Sequence, residues 1–161
     1  RPANPPLLRI AQLAAFLASN DFLIDRLVEC RTAEEVRRLF SAEASDYWYT
    51  HYIPATPTRE LPKRIGRMKS DLLGINLVSL IQYAYGAYNG NERLRERAFA
   101  LLEAIPAEEN RFMRRWRLYD LHPANAFQSQ ALLQLATEYC AARRCTECPV
   151  GRRIAKSLAE D

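Results

Sequence analysis

The stretch DLLGINLVSLIQYAYG, residues 71–86, constrains the fold more than any other part of the chain. Leu72, Leu73, Ile75, Leu77, Val78, Leu80, Ile81, Tyr83 and Tyr85 leave almost no polar face, and a helix that is apolar all round has to be enclosed. Ser70 and Asp71 offer an N-cap and a negative charge at the positive end of the helix dipole. Gly86 offers a left-handed stop. The stretch is too short for a membrane span, and Asn76, Ser79 and Gln82 interrupt it. The expectation is an all-α, compact multi-helix domain arranged around this central buried helix, with no membrane segment.

The flanking segments agree with that class. Ile10, Leu13, Ala14 and Leu17 repeat at the spacing of one buried helix face over residues 7–18, behind a Pro-rich lead-in at Pro2, Pro5 and Pro6. Ser19, Asn20 and Asp21 break that helix before a short second one over residues 22–28. Thr32 and Glu35 form a capping box that opens a helix burying Val36, Leu39 and Phe40. Tyr47, Trp48, Tyr49, His51 and Tyr52 read as an aromatic packing cluster, with a ligand pocket as the alternative. If that stretch is helical, Tyr47 and His51 share a face. Residues 53–62 hold three prolines and read as a loop. Lys63, Arg64, Arg67 and Lys69 read as a solvated helix end.

Beyond the central helix, Asn89-Gly90 is a turn and Asn91 caps a helix that buries Leu94, Ala98, Leu101 and Leu102 and stops at Pro106. Glu108 and Glu109 suit the start of another helix, punctuated by Arg111, Arg114, Arg115 and Arg117. Asn125 and Gln128 form a second capping box, opening a helix over residues 126–140. Pro149 suits the first turn of the last helix, which would carry Val150, Ile154 and Leu158 inward. No stretch reads as a convincing strand.

A chain of 161 residues with 5 Gly, no initiator Met and no signal-peptide pattern reads as a single helical domain over residues 1–161, excised from the C-terminal part of a longer protein. Four Cys without a secretion signal predict reduced thiols in the cytoplasm. A net charge of +4 permits an anionic partner without demanding one.

Chemistry is possible in the stretch YCAARRCTECPVG, residues 139–151. A helix end followed by a C-x2-C turn can aim Cys140, Cys145 and Cys148 at one point. Zinc wants four such ligands, and an iron–sulfur cluster also takes thiolates. Cys30, His51, His122 or a carboxylate would be the fourth. Equally, cysteine is a small hydrophobe, and these thiols need no metal. Arg143, Arg144, Arg152 and Arg153 bracket the turn, and Arg114 and Arg115 lie on the preceding helical segment. If these faces adjoin they make a phosphate-binding surface, with Trp116 and Tyr119 available to stack; acidic residues are interleaved throughout, and the alternative, which that interleaving favours, is a solvated surface. No Gly-rich phosphate loop is present, and neither His lies near a nucleophile in a known catalytic arrangement. No catalytic residue is assigned.

The Cys turn is broadly similar to the cluster loop of helix–hairpin–helix DNA glycosylases. It departs from that pattern in a shorter first spacing, in Ile154 where a last cysteine belongs, and in lacking a Lys-and-Asp catalytic pair. Taken together, RPANPPLLRIAQLAAFL at the start, YWYTHY at residues 47–52, LEAIPAEEN at residues 102–110 and SQALLQLATEYCAARRCTECPVG from Ser129 resemble the C-terminal portion of a bacterial family, domain of unknown function 2851. The resemblance covers nearly the whole chain, with the Arg-Pro-x-Asn opening and the Cys tail as its most specific parts. It implies a helical region that follows an N-terminal domain similar to a restriction-endonuclease-type nuclease core. It assigns no catalytic residue here. Function is expected to be that of a non-catalytic helical accessory domain contacting its own N-terminal domain or nucleic acid. The alternative is a zinc or iron–sulfur module on Cys140, Cys145 and Cys148.

Overall fold

The computed structural model describes residues 5–61 and 63–159. The fold is predominantly helical, with one small two-stranded sheet, and it divides into two compact units, residues 1–105 and 106–161. The lead-in at Pro2 and the loop residue Pro62 lie outside the described residues.

Unit 1 runs α1 (Pro6–Ala18), α2 (Leu23–Glu29) and α3 (Ala33–Leu39), then a 3-10 turn (Asp46–Tyr49) and a hairpin of β1 (His51–Ile53) and β2 (Thr56–Pro57). It continues through α4 (Arg67–Leu73), a π-helical segment (Gly74–Val78), α5 (Ser79–Tyr88) and α6 (Glu92–Ala104). Local chemistry sets many of these boundaries. Pro5 is the N-cap of α1 and Pro6 its first residue, where a missing N–H costs nothing. The Thr32–Glu35 capping box is complete in both directions. Asn91 accepts from the Leu94 N–H at 3.2 Å and starts α6, which buries Leu94, Ala98 and Leu101. Phe16 of α1 stacks on Phe40 just after α3, ring centroids 5.0 Å apart.

The central helix departs from the sequence expectation on three counts. It begins earlier, with Gly66 as N-cap, so Asp71 is free to pair with Arg37. It runs through Gly86 to Tyr88, and the left-handed stop is Gly90 at φ 64°. It is also not apolar-buried all round. The inward stripe is Ser70, Gly74, Val78, Gln82 and Gly86, one residue every four, flanked by Ile75 and Ser79. Leu72, Leu80, Tyr83 and Tyr85 are exposed. The cause is close approach. A methyl placed on Gly74 would sit 2.7 Å from Ile105 Cδ1, and one on Gly86 would sit 3.0 Å from the Asn91 carbonyl oxygen. Gln82 is fully buried because its Nε2 donates to the Leu27 and Cys30 carbonyls, at 3.0 and 2.6 Å, groups that the end of α2 leaves without helical partners.

Helix α1 is likewise turned from its expected orientation. It buries Leu8, Gln12 and Phe16 and exposes Ile10, Leu13 and Leu17. Gln12 belongs inside because its amide donates to the Lys63 carbonyl across 51 residues of sequence. Lys63 is itself buried, not a solvated helix end: its Nζ donates to the Tyr49 carbonyl and lies 4.5 Å from the centre of the Tyr52 ring. The expected loop after Tyr52 contains the hairpin, with Ile53 opposite Thr56. Tyr47 and His51 do meet, but across a 3-10 turn and a strand: their rings stack 4.2 Å apart with 4° between planes. Among the described residues no single helix is long and apolar enough to cross a membrane.

Unit 2 holds α7 (Arg111–Arg117), α8 (Ala126–Gln134), a second π-helical segment (Leu135–Cys140) and α9 (Pro149–Ser157). Asn110, not Glu108 or Glu109, starts α7, its Oδ1 accepting from the Phe112 and Met113 N–H groups. Asn125 caps α8 as expected, but Gln128 reaches back one residue further, to the Ala124 N–H. Met113, Ala126 and Ser129 are fully buried. Helix α9 starts at Pro149, yet Val150, Ile154 and Leu158 are exposed instead of turned inward. They repeat at four-residue spacing, opposite Arg152 and flanked by Arg153, a stripe that unit 2 itself does not cover.

Candidate functional site: an aromatic cleft and an arginine-rich turn

On α7 and the turn after it, Phe112, Arg115, Trp116 and Tyr119 fall at i, i+3, i+4 and i+7, the spacing of one helix face. Across from them the π segment presents Ala136 and Cys140, followed by Ala141. Large rings on one wall and small side chains on the other leave a cleft of about 380 Å³. The Trp116 indole is fixed by donating its Nε1–H to the Leu132 carbonyl at 3.0 Å. Tyr119 meets it edge to face, with centroids 6.4 Å apart, and is 67% exposed. The cleft therefore has an anchored aromatic floor, a freely presented second ring and one guanidinium, that of Arg115.

The Cys turn begins where the π segment ends. The Arg144 N–H bonds to the Tyr139 carbonyl at 2.9 Å and the Arg143 N–H to the Cys140 carbonyl at 3.1 Å, the two bonds of a Schellman closure. Arg143 occupies its left-handed position, at φ 54°, where Gly or Asn would be less strained. The turn is then pressed against α9: a methyl on Gly151 would sit 2.3 Å from the Cys145 carbonyl oxygen. Only glycine allows that approach.

The sequence-derived ligands separate. Cys140 and Cys145 are exposed, Cys148 is buried as the N-cap of α9, and Cys30 is buried in unit 1. Among the described residues no three His, Cys, Asp or Glu side chains converge on a point that would hold a metal ion. Cys140 instead lines the cleft. Burial, with Glu35 and Glu29 adding to it, pushes the Cys30 thiol up to about 11, and its Sγ–H donates to the Arg26 carbonyl at 3.3 Å. His122 faces Asp120 at 3.2 Å, and His51 belongs to the unit 1 aromatic stack.

The arginines divide by partner. Arg144 holds Glu147, Nε to Oε2 3.0 Å, and lies over the Tyr139 ring. The same contact holds the Glu147 carboxyl below its ordinary range. Arg117 does the same for Glu109. Arg114 acts on Glu109 only through space. Arg115, Arg143, Arg152 and Arg153 are exposed and have no salt bridge among the described residues. Trp116 and Tyr119 were legible as stacking candidates. The wall of Ala136 and Ala141 was not, because alanine carries no sequence signature of a cavity.

Comparison with known families gives one match: the family described as "Protein of unknown function (DUF2851)" covers residues 1–111. That span takes in unit 1 and ends at the start of α7, so the Cys tail lies beyond it. No curated protein and no solved structure matches the chain.

Proposed function

We propose that this chain, which belongs to the DUF2851 family of unknown function, is a non-catalytic helical accessory region that contacts nucleic acid through unit 2. The observation that supports this is the set of exposed guanidiniums without acidic partners among the described residues, Arg115, Arg143, Arg152 and Arg153, on the unit that also carries an open aromatic cleft. A cation held by a carboxylate gains little from a phosphate, whereas one facing only water releases counterions when it meets one. Arg143 adds to the set from a left-handed turn position at φ 54° that holds its side chain in solvent.

The test is fluorescence anisotropy with labelled oligonucleotides at two ionic strengths. Binding that weakens steeply between about 50 and 200 mM salt, and a slope that flattens in Arg152→Ala/Arg153→Ala, is the expected result. Equal, weak anisotropy at both salts, unchanged in that variant, overturns the reading.

A second reading rests on α1. Leu7, Ile10, Leu13 and Leu17 are each about half exposed and form an uncharged face. An apolar stripe of that kind suits packing against another protein surface, here the N-terminal domain of the same protein. Co-expression with that domain tests it: Ile10→Arg leaves this chain folded but abolishes co-purification. Undiminished co-purification overturns it.

A further inference from the structure

We infer that the cleft between α7 and the second π segment takes an unpaired nucleotide, its base against the Trp116 and Tyr119 rings and its phosphate on Arg115. The inference rests on the nucleic-acid reading above and goes further, because it names the form of nucleic acid and the atoms that select it.

Three observations carry it. First, the cleft is built by contrast of size. Ala136, Cys140 and Ala141 leave room that any larger side chain would fill, and its volume of about 380 Å³ falls in the range of small-ligand sites. Second, the rings are disposed for a planar guest. Trp116 is held in place through its Nε1–H, so its faces are not free to turn away, and Tyr119 is exposed beside it at an interplanar angle of 61°. Third, Arg115 is the cation of the lining and has no salt bridge among the described residues, so an anion reaching it displaces none of their carboxylates. Aromatic faces with an adjoining guanidinium match a base and its phosphate. A duplex hides its base faces in the stack and meets only the arginines. An unpaired nucleotide meets both.

The experiment uses the full 161-residue chain and labelled 15-mers, one single-stranded and one duplex. The expected result is single-strand binding at least tenfold tighter than duplex binding. Tyr119→Ala, at an exposed side chain, weakens the single strand by about 5- to 100-fold and leaves the duplex nearly unchanged; Arg115→Ala weakens the single strand by a similar factor and the duplex only by its share of the arginine surface. Ala136→Leu, which fills the cleft while removing neither ring nor charge, acts as Tyr119→Ala does. Circular dichroism confirms that each variant keeps its helix content. Adenosine monophosphate at millimolar concentration separates the two sources of the ligand: displacement of the strand means a free nucleotide suffices, and no displacement means the strand context is required. Equal binding of single strand and duplex, with Tyr119→Ala and Ala136→Leu at wild-type affinity for the single strand, overturns the inference and leaves the arginine reading standing. No salt-sensitive binding of either oligonucleotide overturns both.

Discussion

The Arg37 guanidinium grips the Asp71 carboxylate through two parallel hydrogen bonds, Nε to Oδ1 at 2.7 Å and Nη2 to Oδ2 at 3.0 Å. The two residues lie 34 positions apart, on α3 and α4, and their side chains are only 17% and 15% exposed. The pair raises the Arg37 pKa above its ordinary value, chiefly through the hydrogen bond to Asp71. Removing the carboxylate leaves a largely buried guanidinium whose remaining partner is the exposed Glu34 carboxylate, 3.7 Å away. Asp71→Ala is therefore expected to destabilise unit 1 by about 2–3 kcal/mol. Arg37→Lys, which keeps the charge but loses the fork, falls between wild type and that variant. Urea denaturation of both variants checks the order. An Asp71→Ala midpoint equal to wild type would show that the pair adds nothing.

Gly74 and Ile105 form a second coupled pair. A β-carbon on Gly74 would approach Ile105 Cδ1 to 2.7 Å and Val36 Cγ1 to 3.3 Å, and Ile105 and Val36 are both fully buried. Neither can swing into solvent. Gly74→Ala is expected to cost about 1–3 kcal/mol despite alanine's better helix propensity. Ile105→Val removes the offending methyl, so the double variant recovers part of the loss. A double-mutant cycle with zero coupling energy would refute the contact.

What the sequence made legible here is local, and what it hid is tertiary. Thr32 with Glu35, Asn91, Asn125 and Pro149 each marked a helix start, because a capping side chain satisfies backbone groups within four residues of itself. The face of α6 was legible because Leu94, Ala98 and Leu101 fall at i, i+4 and i+7 among charged residues. For α1 and the central helix, apolar residues lie on more than one side, and periodicity does not say which side this chain covers. The answer lay in long-range partners: the Lys63 carbonyl that draws Gln12 inward, the α2 carbonyls that draw Gln82 inward, and Ile105 against Gly74. At the candidate site, the arginines and stacking rings could be named beforehand. The cleft could not, since it exists only where Ala136 and Cys140 happen to face α7. The thiols that share one short stretch are held apart by the left-handed turn at Arg143 and the helix start at Cys148.

Phe22 offers a stabilising change. It is the N-cap of α2, its backbone is left-handed at φ 54°, its side chain makes no cap hydrogen bond, and it is 82% exposed. A bulky residue pays a steric penalty in that conformation without the compensation of burial. Phe22→Asn keeps the backbone geometry with less strain and is expected to raise stability by about 0.5–1 kcal/mol, seen as a higher Tm. A lower Tm would mean that the ring contributes packing that its exposure does not reveal.

The four thiols are expected to differ sharply in reactivity. Cys140 and Cys145 are exposed, so two equivalents should react with a disulfide reagent at once at pH 8, and Cys30 and Cys148 only on unfolding. Gly151→Ala pushes on the Cys145 carbonyl, loosens the start of α9 and should bring Cys148 into the fast class, giving three. Cys30 adds a pH dependence of definite sign. Burial raises its folded pKa from 9.0 to about 11, so the folded state favours the neutral thiol. That contribution to stability is complete below pH 9 and is lost as pH rises towards 11, because the unfolded chain releases the proton first. Between those limits wild-type Tm should fall more steeply than that of Cys30→Ala, and the two curves should run parallel below pH 8. Parallel curves across the whole range would place the thiol in a more polar setting than α2, Gln82 and the 6% exposure of Cys30 imply.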